Sequence, residues 1–173
     1  MKEPEDRLDQ KGARAQDYIE LSCKQTSRPE TGWKEEDIMY YKYDPEKSIH
    51  IPAPFNRTIT PMFMGDDDKI TETNFSVHFT EWEPGCEIDS HSHDSAMEAM
   101  YCISGSGIAE VNNEAHEFVP GSMIVAPPGI QHKIKNTGTE TLRVFCIFSP
   151  PTTGADLRKR ALGAVAEAGK KEE

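Results

Sequence analysis

Long hydrophobic runs, a basic charge balance and paired cysteines are all missing from this 173-residue chain, and each absence removes a class of function. No apolar stretch approaches the roughly 20 residues that a membrane span requires. The opening MKEPEDRLDQ lacks the apolar core of a signal segment. A cytoplasmic protein without a membrane partner is therefore expected. Lys and Arg number 19 against 30 Asp and Glu, a formal charge of -11. Such a field repels polyanions, so no nucleic-acid partner is expected either. The four cysteines (Cys23, Cys86, Cys102 and Cys146) form no CxxC pair and read as buried or idle thiols. Hydrophobic residues reach only 36%, which fits a folded domain diluted by polar segments.

That dilution is uneven. Residues 1–50 are charged and poor in aliphatics, with weak helical character in DRLDQKGARAQDYIEL and a loop in QTSRPETGWKEED. This segment has too little apolar material for a core of its own and reads as an extension. Its one sticky feature is the aromatic cluster MYYKYDP, a candidate dimer interface. From 51 to 150 the character changes. Short β-type runs (FNRTITPMFM, TNFSVHFTEW, AMEAMYCIS, GIAEV, EFV, SMIVAP, HKIKN and LRVFCIF) alternate with turns such as EPG, SGSG, PGS and PPG. That punctuation predicts an all-β sandwich or barrel of antiparallel strands. No internal repeat is present, so one barrel is expected. In 151–173, Leu157, Ala161, Val165 and Ala168 recur along one helical face, which predicts a short C-terminal helix.

Histidine is scarce, six in all, yet two stand one residue apart in GCEIDSHSHDSAMEAMYCISG. On a strand, His91 and His93 would share a face, a spacing that suits a metal. Glu98 lies an odd number of residues beyond His93, so a turn or bulge through DSAM must intervene for it to join them. His132 follows the PPG turn, and nothing in its sequence distance links it to the pair. A polar loop with a solvated glutamate is the competing reading of these residues.

Two spaced patterns decide between them. Gly85, His91, His93, Glu98 and Gly105 fit G-x5-H-x-H-x4-E-x6-G, and Gly121, Pro127, Gly129, His132 and Asn136 fit G-x5-P-x-G-x2-H-x3-N. In both respects residues 55–150 resemble the cupin superfamily. The resemblance implies an antiparallel jelly-roll barrel in which His91, His93, Glu98 and His132 converge on one divalent transition metal per chain. Three imidazoles and a carboxylate suit iron, manganese, nickel, zinc or cobalt without selecting among them; iron or manganese is the expected ion. Many cupins dimerise, so a homodimer is expected. Pro127-Pro128-Gly129 reads as a rigid bend aiming His132, and Asn136 as a turn hydrogen-bonder.

Met100 and Cys102 share the face of Glu98 and either pack in the core, the simpler reading, or line a pocket; Tyr101 faces away. His78 either contacts substrate or turns outward, the commoner outcome. Phe75, Val77 and Phe79 share one face of their strand, as core residues would, and Trp82 is a packing anchor. His50 and His116 receive no role. No convincing Arg or Lys falls on an inward face, since Arg143 points either way. The expected function is a metal-dependent enzyme acting on a small oxygenated molecule, an oxygenase or lyase ahead of an isomerase, decarboxylase or hydrolase. A non-catalytic metal- or metabolite-binding module is the alternative.

Overall fold

The turn-rich sequence folds, in the computed structural model, into nine strands and one α-helix among the described residues 40–53, 55–66 and 73–170. The readings placed on DRLDQKGARAQDYIEL, QTSRPETGWKEED, Cys23 and Met39 lie outside these residues.

The strands are β1 (Ile49–Ile51), β2 (Arg57–Phe63), β3 (Ser76–Trp82), β4 (Met97–Ser104), β5 (Gly107–Val111), β6 (Glu114–Phe118), β7 (Met123–Ala126), β8 (His132–Asn136) and β9 (Leu142–Ser149). Helix α1 spans Gly154–Lys170. One sheet runs β1-β2-β3-β9-β4-β7 and the other β6-β5-β8, with every pairing antiparallel. This two-sheet arrangement is the all-β jelly roll that the resemblance implied. The eight strand segments read from the sequence all appear. Only the three-residue β1, which straddles the expected boundary between extension and barrel at residues 50 and 51, was not foreseen.

Alternation along β4 places Glu98, Met100 and Cys102 inside and leaves Tyr101 exposed, as expected. Between the sheets Met100 and Cys102 meet Trp82, Phe118, Ile134, Leu142 and Val144 in one apolar core. For β3 the expected face is reversed. Ser76, His78, Thr80 and Trp82 are buried within the barrel, whereas Phe75, Val77 and Phe79 share its outer side, where Val77 is buried as expected, Phe79 half-buried and Phe75 exposed. Phe79 is covered there by Tyr43 and Phe145, and Phe75 packs against Phe63. A strand clothed on both faces carries apolar residues on either parity, so hydrophobicity could not select the inner one. Tyr43 also donates to Glu81 at 2.8 Å and lies 5.3 Å under Arg143, while Tyr41 packs on Phe63. The tyrosine cluster thus folds back on its own sheet, and Arg143 points outward to pair with Glu81 at 2.7 Å.

Gly105 ends β4 at φ +81, where a Cβ would come within 2.7 Å of Leu142 Cα. Only glycine fits so tight an approach with positive φ. Asn136 is fully buried and donates to the Trp82 and Glu140 carbonyls while accepting from Gly138 N, the turn role assigned to it.

Helix α1 opens with a reciprocal cap. Thr153 Oγ1 accepts from Asp156 N at 3.0 Å and donates to the Asp156 carboxylate at 2.9 Å. Asp66, from the β2–β3 connection, adds acceptors for Gly154 N and Ala155 N. Leu157 and Ala161 then pack with Ile49, Ile51, Ile59 and Met64, fixing α1 against β1 and β2. The Gly154 bond leads in holding the Asp66 carboxyl below its ordinary value. A depressed folded-state pKa stabilises above the unfolded value of about 4 and is lost as pH falls through the folded one. Loss of these helix-start acceptors in Asp66→Ala should lower the melting temperature only modestly at pH 7, because the exposed carboxylate is screened by solvent. Thermal melts at pH 7 and pH 3 should show the gap between variant and parent closing at the lower pH.

Candidate metal centre

The four motif side chains reach the barrel interior by three routes. Glu98 comes from regular alternation on β4, and His132 from the first position of β8. His91 and His93 do not lie on a strand, contrary to the expected alternation. They sit in an irregular segment that runs along the edge of β8. Gly85 N, Ile88 N and His91 N donate to the carbonyls of Asn136, Ile134 and His132, and His132 N returns a bond to His91 O at 2.8 Å. The single bridge between His91 and His132 sets those rings side by side. A bend at Asp94–Ser95 then reverses the path, the interruption through DSAM that Glu98 required. Gly129, at φ +80, bonds through its N–H to His93 O and ties the PPG turn to the same segment.

The four donor atoms lie within 4.8 Å of one another. The His91 and His132 ring centroids are 4.4 Å apart, and His93 is 5.1 and 5.3 Å from them. Glu98 Oε2 accepts from His93 Nε2 at 2.9 Å and from His132 Nε2 at 3.0 Å. The Nδ1 atoms of His91 and His132 face the carbonyls of Asp89 and Ile130, each at 3.0 Å. Backbone acceptors at Nδ1 orient the rings with Nε2 toward the cluster. Burial opposes a charge on Glu98, but the His132 and His93 bonds outweigh it and hold the carboxyl well below its usual range. Burial likewise opposes protonation of His132, yet its bond to Glu98 and the Ile130 carbonyl raise its pKa. His91 is pulled down to about 4 by burial and by the neighbouring His132. Three imidazoles and a carboxylate at this separation form a donor set that a divalent first-row ion fits.

The cluster opens on a cavity of about 330 Å³. Met100 and His78 line it, so His78 points inward rather than to solvent. Cys102 does not line it; its side chain is spent in the core. Trp82 both anchors the core and borders the cavity.

Two cations overturn the expectation of a wall without fixed charge. Arg57 of β2 and Arg160 of α1 both line the cavity. Arg57 shares its parity with the inward Ile59, a signal present in FNRTITPMFM. Arg160 had none, because nothing in its own segment tells where α1 docks. Burial draws the Arg57 guanidinium down to about 10, countered by Cys146 and Glu98, so it stays charged at neutral pH. Its Nε has no hydrogen-bond partner, and neither does Trp82 Nε1 or His78 Nδ1. Burial lowers His78 to about 4, which leaves it neutral. Buried polar atoms without partners are uncommon, and all three of these residues line the cavity.

Comparisons with known proteins agree with this fold. A family model described as "Cupin domain" matches residues 78–148. The chain is 34% identical over 91 residues to an L-ectoine synthase of Alkalilimnicola ehrlichii, covering 51% of this chain and 67% of that protein. A Vibrio campbellii L-ectoine synthase is 29% identical over 97 residues, covering 56% of this chain and 72% of that protein. Among solved structures, ectoine synthase from P. lautus is 25% identical with a TM-score of 0.57, over 70% of this chain and 86% of that one. KdgF from Halomonas sp., at 18% identity, a TM-score of 0.57 and coverage of 69% and 99%, shares the fold.

The described cysteines are free, with Cys86 half-buried and Cys102 and Cys146 buried. Burial raises both of the latter thiols, Cys146 the further. A thiol reacts as its thiolate and needs access. Brief iodoacetamide treatment of the folded protein should label Cys86 well before Cys102 or Cys146, as read by peptide mass mapping. Equal labelling of all three would contradict the buried placement.

Proposed function

Because the chain belongs to the cupin superfamily, we propose that it is a metal-dependent enzyme of lyase type acting on a small molecule that carries a carboxylate. One observation carries this reading. Four converging metal donors lie in a cavity lined by three residues that carry unpartnered polar atoms, one of them a half-buried arginine.

His91, His93, Glu98 and His132 would hold one divalent transition ion, iron or manganese ahead of nickel, zinc or cobalt. Bound there, such an ion supplies Lewis-acid polarisation of a substrate oxygen. The remaining work falls to the chain. Arg57 Nε–H and Trp82 Nε1–H are donors without acceptors, and a carboxylate is an acceptor without donors. Seating the carboxylate on Arg57 pairs the buried charge and fixes the orientation of the substrate. His78 Nδ1, uncommitted and on a neutral ring, is placed to accept a proton from a seated substrate. Phe55, Ile88, Phe148 and Leu157 give the space apolar walls. The L-ectoine synthases among the relatives support a lyase over the oxygenase considered from sequence.

A homodimer remains part of the reading, but its interface shifts. The tyrosines near residue 40 are occupied on their own sheet, except Tyr40. The outer face of β4 and the edge strand β7 instead expose Met97, Tyr101, Ile103, Met123 and Val125. Contiguous exposed apolar residues beside an unpaired edge favour association. Met123→Asp should shift the protein toward monomer in sedimentation velocity.

Protein purified without chelator should carry close to one first-row metal ion per chain by elemental analysis. Glu98→Ala should lower that content while circular dichroism stays that of the barrel. No metal after reconstitution would sink the reading. Arg57→Met should weaken binding of the best ligand from a panel of small carboxylates on the order of ten- to a hundredfold. Unchanged affinity by calorimetry would remove Arg57 from the substrate site.

A further inference from the structure

We propose that Arg160 governs metal loading: its guanidinium holds His93 in a hydrogen-bonded state that a ligand imidazole cannot keep, so occupancy of the site and seating of α1 are coupled. The inference rests on the metal reading above and extends it to the C-terminal helix.

The argument is one of donor polarity. A guanidinium has five N–H donors and no acceptor. Arg160 Nη1 lies 3.4 Å from His93 Nδ1, so the ring nitrogen must accept. A ring that accepts at Nδ1 carries its hydrogen on Nε2, which gives it to Glu98 Oε2. A ligand imidazole is the reverse. It turns a lone pair toward the ion and carries its hydrogen on the other nitrogen.

His91 and His132 already satisfy that requirement at their outer nitrogens, since both Nδ1 atoms face carbonyl oxygens. His93 is the exception, facing a donor. Rotating its ring does not help, because whichever nitrogen meets the ion, the other brings an N–H against the guanidinium. Ligation by His93 therefore breaks the Arg160 contact.

That contact is one of the places where α1 touches the cluster. Arg160 Nη2 donates to Thr152 Oγ1 at 2.6 Å, and its guanidinium lies 5.7 Å above the Phe148 ring. One turn to either side of Arg160, Leu157 and Gly163 line the cavity. A change at Arg160 is thus felt by the helix that closes one wall of the site. Its positive charge also opposes an incoming cation, so charge and polarity must be separated.

Three variants of the full chain do so. Arg160→Lys keeps a cationic donor, Arg160→Met removes charge and donor together, and Arg160→Gln removes charge and offers an acceptor. Each is stripped with chelator and titrated with Mn²⁺ and with Zn²⁺ against a competing dye. Arg160→Gln should bind roughly tenfold more tightly than the parent, Arg160→Met by a smaller factor, and Arg160→Lys about as the parent does. Hydrogen exchange gives a second readout: metal should alter amide exchange in residues 154–163 of the parent and leave Arg160→Met unaffected. Equal gains for Gln and Met would mean charge acts alone and would overturn the proposal. So would metal binding by the parent with α1 exchange unchanged. If neither parent nor variants bind metal, the metal reading itself falls and the coupling with it.

Discussion

A single buried carboxylate organises this molecule. Glu98 belongs to the six-stranded sheet, His132 to the three-stranded one and His93 to the irregular segment between β3 and β4, and one oxygen of Glu98 bonds to both imidazoles. An ionised carboxylate inside a barrel is costly unless it is paired. Much of the surrounding structure serves that pairing. Residues 85–91 run along β8 so that His91 lies beside His132, and the PPG turn is tied to His93 through Gly129. The same bonds that keep the charge on Glu98 draw the imidazoles to within ligand distance of one another. Stability and site geometry here are one arrangement, so disturbing the carboxylate disturbs both.

The barrel is asymmetric along its length for a related reason. One part is filled by Phe118, Leu142, Val144 and Cys102, side chains without exposed surface. The part around Glu98 holds polar groups that need partners of their own and therefore cannot be packed solid. An open cavity of this kind must be walled from outside the sheets. Helix α1 does this, held by Leu157 and Ala161 against β1 and β2 and started by Asp66 and Thr153.

Much of this was legible in the chain, and the divide between legible and hidden is physical. Strands announced themselves because turns must be made by glycine, proline and asparagine, whose placement shows locally. Glu98, Met100 and Cys102 followed from parity once one of them was assigned a face. Parity failed on β3, where aromatic residues lie outside because Tyr43, Phe63 and Phe145 cover them. The strand expected under His91 and His93 is instead an irregular run whose hydrogen bonds go to a distant segment. Arg57 was readable by its parity with Ile59, although a charged residue on an inward face contradicts the usual rule. Arg160 was not readable at all. Its role depends on where a helix 67 residues from His93 comes to rest.

These last two residues bear on what similarity can transfer. The family match spans residues 78–148 and contains all four metal donors, His78 and Trp82. Arg57, Phe55 and Ile59 precede it, and Leu157, Arg160 and Ala161 follow it, yet all six line the cavity. The shared segment therefore accounts for a place where a metal can act, with one sheet-borne carboxylate and three imidazoles around it. The charge that would select a substrate, and the helix whose arginine opposes ligation by His93, come from flanking sequence. A cupin's chemistry is set as much by what is folded onto its barrel as by the barrel. In this chain the two contributions meet at His93, which gives one nitrogen to Glu98 and the other to Arg160.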